Sequence, residues 1–454
     1  MKRLLIIGGS DAGVSAGLRA REIDPRLEVT MVVADKFPNF SICGLPFYIS
    51  GETPDWRMLA HRSVSEIEQT GIRLLLGHRA EAIDPDRRIV LVTSPEGRAV
   101  SLGYDELVIG TGAMSVRPDI QGIDQPGVFF LRWVEDSIAL KTFLEENRPV
   151  HAAIIGGGYI GLEMADAFTR RGMRVTVVEY ADTILTTVDP ELGVQVREGL
   201  ERHSVQVATG MPVRAVEPIG ERLRVIGDQG FSLDADLVLV AAGARPNTGL
   251  AALAGVEIGE FGAIRVNRRM QTGVPHVFAA GDCVQTWHRV LGQYQYLPLG
   301  TTAHKQGYTA GENAAGGDAV FPGSLGTQAV KIFDLVAART GLRDSEAKAA
   351  GFAPLSIGYA AWDHKAYYPG AGRLNIRITG DRETGRLLGA QILGPYGSEI
   401  SKRIDVLAAA LYHEMPVDGI SGLDLSYAPP LSGPWDPVQA AAQEWSRVRY
   451  RDIP

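Results

Sequence analysis

One stretch of this 454-residue chain stands out for its chemistry: Phe40-Ser41-Ile42-Cys43-Gly44-Leu45-Pro46-Phe47-Tyr48. Pro46 followed by apolar residues reads as the first turn of a helix. Cys43 would then sit at a helix N-terminus, where the thiolate is stabilised and the thiol pKa falls. No second cysteine lies nearby. The only other one, Cys283, follows Gly281-Asp282 and reads as packing. A lone reactive sulfur must cycle between thiolate and sulfenic acid, or a mixed disulfide with a small thiol.

Two further stretches are built to approach phosphates. The apolar run Leu4–Ile7 reads as a buried strand, Gly8-Gly9-Ser10-Asp11-Ala12-Gly13 as a turn, and Val14 onward as a helix, with Ser10 in the middle glycine's place. The second unit is a strand at Ala152–Ile155, the full pattern Gly156-Gly157-Gly158-Tyr159-Ile160-Gly161, a helix over Leu162–Arg171, and a strand at Val175–Val178 ending in Glu179. Such turns aim helix N–H groups at a pyrophosphate, and the acid after the next strand accepts both ribose hydroxyls. Tyr180-Ala181-Asp182 follows Glu179 with no arginine, so a 2′-phosphate would meet a carboxylate and no cation. NADH is therefore expected rather than NADPH. In the first unit the strand Val29–Val33 leads to Ala34-Asp35-Lys36, and Asp35 is the candidate acid. Two units suggest two dinucleotides, one held and one exchanged; FAD with a nicotinamide nucleotide is the usual pair.

The elements around these stretches follow from the remaining punctuation. Strand Glu106–Ile109 ends in Gly110-Thr111-Gly112-Ala113, and strand Leu237–Val240 ends in Ala241-Ala242-Gly243-Ala244. These similar passages bracket the Glu179 unit. A strand at His276–Ala280 ends in Gly281-Asp282, where an Asp can bond a ribityl hydroxyl and the next helix can point at the flavin phosphates. Length implies two or three domains. Apolar residues at 45% and charged residues at 22% are those of a folded globular chain. A net charge of −8 without a basic run argues against nucleic acid as a partner. Two cysteines exclude a disulfide-stapled scaffold and suit a reducing compartment. No apolar stretch reaches membrane-span length, so a cytoplasmic location is expected. His288 and His304 read as isolated, and no metal site is expected.

Together these motifs resemble the FAD-dependent pyridine-nucleotide disulfide oxidoreductases. Within them the chain is similar to the single-cysteine group of CoA-disulfide reductases, NADH oxidases and NADH peroxidases, and nearest to the first. The resemblance also rests on Cys43-Gly44-Leu45-Pro46, Lys402-Arg403-Ile404-Asp405-Val406 and Tyr427-Ala428-Pro429-Pro430. It implies an α/β fold with two Rossmann-like dinucleotide-binding domains and a C-terminal α+β dimerisation domain. The expected FAD domain is 1–112 with 245–325, the NAD(P)H domain 113–244, and the dimerisation domain 326–454. For FAD the expected contacts are Gly8, Ser10, Asp11, Ala12, Gly13, Asp35, Lys36, Ala80, Thr111, Gly112, Gly281 and Asp282. For NADH they are Gly156, Gly158, Tyr159, Ile160, Gly161, Glu163, Glu179 and Gly243. Tyr159 would gate the flavin and Glu163 would contact the nicotinamide amide. In a homodimer, Tyr427 and Tyr367 (or Tyr368) would reach the partner's Cys43 and protonate a leaving thiolate.

Asp11 stands where the oxidases and peroxidases of this group carry a histidine, which argues against efficient peroxide or oxygen chemistry. A carboxylate there should oppose thiolate formation unless it is paired or is itself an acid–base group. Asn39-Phe40-Ser41-Ile42 before the cysteine, and Glu22 in place of a cation, depart from the CoA-disulfide reductases. The expectation is therefore an FAD-dependent NAD(P)H oxidoreductase acting on a small disulfide or persulfide, of CoA or another low-molecular-weight thiol. The alternative is an NADH oxidase or peroxidase acting through Cys43-sulfenic acid. A ferredoxin-type reductase and an NADH-binding redox sensor rank below both.

Overall fold

A computed structural model of the chain describes residues 1–451. Two parallel five-stranded sheets and one antiparallel five-stranded sheet organise it. The first sheet runs, edge to edge, Val277–Ala279, Glu106–Ile109, Arg3–Ile7, Glu28–Val33, Ile72–Leu76, all parallel. The second runs Gln206–Ala208, Arg174–Val178, His151–Ile155, Leu237–Val240, Val128–Phe130, again all parallel. Parallel strands covered on both faces must be apolar throughout. Accordingly Leu4, Leu5 and Ile6 in one sheet and Ala153, Ile154 and Val177 in the other are almost inaccessible to solvent.

The antiparallel sheet is Gln328–Ile332, Leu335–Gly341, Leu387–Pro395, Arg373–Asp381, Pro354–Trp362. Helices Ile400–Tyr412 and Pro437–Arg451 pack on it. Trp445 is fully buried there and donates its indole N–H to Leu355 O at 2.7 Å. This is the α/β architecture with an α+β C-terminal unit that the sequence implies. No described helix is long and apolar enough to cross a membrane.

Both glycine-rich turns are shorter than their sequences suggest. The first helix spans Asp11–Ile23 and the second Tyr159–Arg170, so each begins inside the motif rather than after it. The third glycine of each motif then lies in the first helical turn, hard against the strand. A Cβ on Gly13 would fall 2.0 Å from Gly8 O, and one on Gly161 2.0 Å from Gly156 O.

The passage after Gly281-Asp282 also differs from expectation. A hairpin, Thr286–His288 with Gln293–Gln295, intervenes, and the next helix is Gly300–Ala314. That helix lies along the first one. A Cβ on Gly307 or Gly311 would fall 2.2 Å from Ala12 O or 2.1 Å from Ala16 O. This close approach brings residues nearly three hundred positions apart to one face.

Candidate active site

Cys43 lies in a 3-10 turn, Ile42–Gly44, that runs into the short helix Leu45–Ser50 with Pro46 in its first turn. The side chain reaches solvent, although protein crowds it on most sides. Crowding by the surrounding protein limits hydration and pushes the thiol up from its ordinary value; the charges of Glu163, Asp11 and Asp282 push it further, and Arg132 opposes them. This corrects the expectation of a lowered thiol pKa. A helix of six residues has little macrodipole, and three carboxylates outweigh it.

Two of the three carboxylates are paired with a cation or histidine from a distant part of the chain. Arg132 Nη2 donates to Asp282 Oδ2 at 3.0 Å, and both side chains are largely buried. His304 lies 3.3 Å from Asp11 Oδ1 through Nε2, with Nδ1 2.8 Å from Ser15 Oγ. The hydrogen bond to Asp11 raises the His304 pKa. His304 is thus not isolated. Helix Gly300–Ala314 delivers it to the first glycine-rich turn, where a histidine was absent from the local sequence. Among the described residues Glu163 has no hydrogen-bond or ion-pair partner. Burial pushes its carboxyl up to about 7, against the pull of Lys331 and with the help of Asp166.

The two phosphate-facing turns are open in the manner a pyrophosphate needs. The helices Asp11–Ile23 and Tyr159–Arg170 start at Ser10 and Gly158 without a side-chain cap, leaving N–H groups free. A Cβ on Gly158 would meet nothing within 4 Å, whereas one on Gly8 (φ +117°) or Gly156 (φ +114°) would strike backbone. The outer glycines are therefore fixed by the fold, and Gly158 faces open space.

Glu179 Oε2 accepts from Gly157 N at 2.5 Å and Oε1 from Ala181 N at 2.8 Å, at the lip of the second turn. Asp35 accepts from Phe37 N at 2.9 Å; burial, helped by Glu135 facing it, pushes its carboxyl up to about 6. Lys36 follows it in the chain, while Ala80 packs against the core of the first sheet from strand Arg79–Asp84. Thr111 Oγ1 donates to Asn247 O at 2.6 Å, and Gly112, Gly243 and Gly281 all have positive φ. Tyr159 Oη accepts from Thr187 Oγ1 at 3.2 Å, and neighbouring Ile160 is exposed. Cys283 is fully buried, with Sγ 3.3 Å from Ala280 O.

Tyr367 and Tyr427 are exposed on the C-terminal unit, as is Tyr368. Their loops are tied together. Lys365 N donates to Pro429 O at 3.1 Å, and the buried Arg403 donates to Asp363 O at 2.8 Å and Leu431 O at 3.1 Å. Arg132, Lys331, His304 and Arg403 were not among the sequence-derived site residues. Only Arg403 had a local signal, as part of Lys402–Val406.

A thiol set beside two dinucleotide-type turns, in a chain that also carries an antiparallel C-terminal unit, defines a nucleotide-dependent redox protein. The chain belongs to the pyridine nucleotide-disulphide oxidoreductases: that family's model matches residues 2–307, and the model of its dimerisation domain matches 327–437. It is 37% identical to the NAD(P)H sulfur oxidoreductase (CoA-dependent) of Pyrococcus abyssi over 97% of this chain and 98% of that one. Among solved structures it is similar to reduced Bacillus anthracis CoADR-RHD, with a TM-score of 0.96 and 31% identity over 99% of this chain and 81% of that one. It is similar also to a NAD-dependent persulfide reductase from A. fulgidus, with a TM-score of 0.95 and 36% identity over 99% and 84%. The chain is thus a flavin- and NAD(P)H-type oxidoreductase of a family that acts on sulfur and disulfide substrates. The uncapped helix starts and the open Gly158 fit the FAD and NAD(P)H that the family implies.

Proposed function

We propose that this protein reduces a small-molecule disulfide or persulfide with NADH, through Cys43 as its single redox sulfur. The observation that carries this reading is a solvent-reaching cysteine within electrostatic reach of Asp11 in the first glycine-rich turn and of Glu163 on the helix that follows the second, while the only other cysteine is sealed in the core. FAD, when bound at Gly8–Gly13, supplies the path for two electrons from NADH to sulfur. The chain's own residues do the rest. Glu179 holds the ribose of NADH and disfavours a 2′-phosphate, Tyr159 covers the site until the nicotinamide enters, and Glu163 orients it.

Cys43 thiolate attacks the substrate S–S bond, one thiol leaves, and the mixed disulfide is then reduced to regenerate the thiolate. Tyr427 and Tyr367 of a second copy in a homodimer hold the proton for the leaving thiolate. CoA is the favoured thiol by kinship with the P. abyssi enzyme. On the first helix, however, Arg19 is engaged by Glu22 at 3.0 Å and Glu312 at 2.6 Å, which favours a ligand that does not need that cation.

The test is an anaerobic NADH titration of wild type and Cys43→Ser, with mass spectrometry on Cys43. Uptake of an extra electron pair with release of a small thiol supports the reading and names the thiol. Extra uptake without a released thiol indicates Cys43-sulfenic acid and moves the oxidase or peroxidase assignment ahead. Equal uptake by both proteins removes Cys43 from the mechanism.

A further inference from the structure

Between strand Arg174–Val178 and helix Pro190–Arg202 the chain runs without regular structure. The last part of this passage, residues 184–189, is a strap with two sides. One side lies against the glycine-rich turn Gly156–Gly161. Ile184 packs on Gly157, where an added Cβ would fall 2.7 Å from the Ile184 Cγ2. Leu185 N donates to Gly157 O at 2.8 Å. Thr187 Oγ1 donates to Tyr159 Oη at 3.2 Å. The strap therefore holds both the backbone of the turn and the hydroxyl of the ring that opens the next helix.

The other side is gripped by the C-terminal unit. Arg343, just before helix Asp344–Ala349, donates from Nη1 to Thr186 O at 2.5 Å and to Val188 O at 3.4 Å. Arg339, buried on strand Leu335–Gly341, donates to Thr187 O at 2.7 Å. One carboxylate orients both guanidiniums: Glu346 lies 2.7 Å from Arg339 Nη2 and 3.0 Å from Arg343 Nε. Gln391, on strand Leu387–Pro395, donates to Asp189 Oδ2 at 2.8 Å and accepts from Asp189 N at 2.6 Å, and both residues are buried. Three successive carbonyls and the residue after them are thus engaged from between 152 and 202 positions further along the chain. Leu185 is buried at φ +51°, a left-handed conformation that leucine rarely adopts and that persists where its surroundings over-determine it. A guanidinium fork on backbone carbonyls fixes the path of a chain more closely than apolar packing does.

We propose that Arg339 and Arg343 are positioning residues for the nicotinamide-nucleotide site. They hold the strap 184–189, and through Thr187 the strap sets the resting position of Tyr159. The C-terminal unit thereby governs a site in the body of its own chain. The Thr187 hydroxyl is one bond that the ring must give up before a nicotinamide can enter. This inference rests on the reading of Tyr159 as the cover of the nicotinamide site and needs no sulfur substrate.

Two measurements on the flavin-loaded protein test it. The first is hydrogen–deuterium exchange, read by mass spectrometry on peptides covering 155–162 and 183–190. Arg343 is the more accessible of the two arginines. Arg343→Met should speed exchange at Leu185 and Asp189 about tenfold and leave strand Arg174–Val178 unchanged. A strap that exchanges as in wild type overturns the clamp.

The second is anaerobic flavin reduction by NADH in a single turnover, which yields an apparent Kd for NADH and a limiting rate. Thr187→Val keeps the side-chain volume and removes the bond to Tyr159. NADH should then bind about fivefold more tightly at a limiting rate little changed, because one hydrogen bond fewer opposes displacement of the ring. In Arg339→Met the strap no longer holds Thr187 in place, so adding Thr187→Val should change the Kd by less than about twofold. If Arg339→Met does not retain flavin, Arg343→Met takes its place in the cycle. The same effect of Thr187→Val in both backgrounds, or no effect in either, overturns the inference. A wild-type flavin that NADH does not reduce would instead overturn the nicotinamide reading itself, and this inference with it.

Discussion

Replacing Arg403 with methionine is a severe test of how the C-terminal unit is held together. Arg403 is 7% exposed. Its guanidinium donates to Ser398 O, to Asp363 O at 2.8 Å and to Leu431 O at 3.1 Å, and lies 3.5 Å from Asp436 Oδ2. Methionine keeps much of the apolar stem and removes all of the donors. Three lost hydrogen bonds at about 1–1.5 kcal/mol each amount to roughly 3–4.5 kcal/mol. Removing one partner of a buried ion pair independently costs about 3–5 kcal/mol. Both routes place the loss near 4 kcal/mol. Asp363 O and Leu431 O also anchor the two loops that carry Tyr367 and Tyr427, so those loops should loosen together. Urea unfolding of the flavin-loaded protein, followed by tryptophan fluorescence, measures the first effect. Limited proteolysis around residues 363–372 and 424–435 measures the second. A loss under about 1 kcal/mol with unchanged proteolysis would refute the reasoning, since it would mean that water satisfies these carbonyls as well as Arg403 does.

Three other consequences can be measured directly. His288 is buried and its Nδ1 accepts from Leu291 N, so the ring is neutral; burial pushes its pKa down to about 4. A lowered histidine adds stability that is complete above its unfolded value near 6.5 and is lost as pH falls toward 4. His288→Asn should therefore flatten the stability–pH curve by roughly 3 kcal/mol across that window in urea titrations. Glu179→Ala should raise the NADH KM by about one to two orders of magnitude and narrow the proposed preference for NADH over NADPH, read from initial rates with each coenzyme. Tyr427→Phe removes a proposed proton donor without changing ring volume, and kcat for disulfide reduction should fall about 10²-fold at unchanged folding stability. Undiminished kcat would return that residue to a structural role.

The parts of the site made by local sequence were legible in it. Gly8–Gly13 and Gly156–Gly161 declare themselves because strand, turn and helix are contiguous and each glycine answers a constraint only a few residues away. Cys43-Gly44-Leu45-Pro46 was legible for the same reason. The helix starts were misplaced by three residues in both units because the fold packs the third glycine inside the helix, against the strand. The sign of the Cys43 shift differs from the local expectation because it depends first on crowding by the surrounding protein and then on charges gathered by tertiary structure. Arg132 and Asp282 are 150 residues apart, Lys331 and Asp166 are 165, and Ser15 and His304 are 289. No periodicity links positions so far apart. They meet because Gly307 and Gly311 let two helices touch and because the antiparallel sheet docks on helix Tyr159–Arg170.

The three carboxylates around Cys43 carry a common physical logic. Alone, each would hold the sulfur as a thiol and slow its attack on a disulfide. Each, however, is set beside a side chain from another segment. Asp11 meets His304, Asp282 meets Arg132, and Glu163 feels Lys331. The balance at sulfur is therefore decided by how completely each cation neutralises its acid, and the three differ. Arg132 is held in a largely buried ion pair and is a fixed correction. His304 is half exposed and is charged only when protonated, so Asp11 presses harder on the thiolate as pH rises. Glu163 is itself poised to change charge near neutrality and has no hydrogen bond to hold it in either state. A thiol so placed is less reactive at rest than one at an isolated helix terminus.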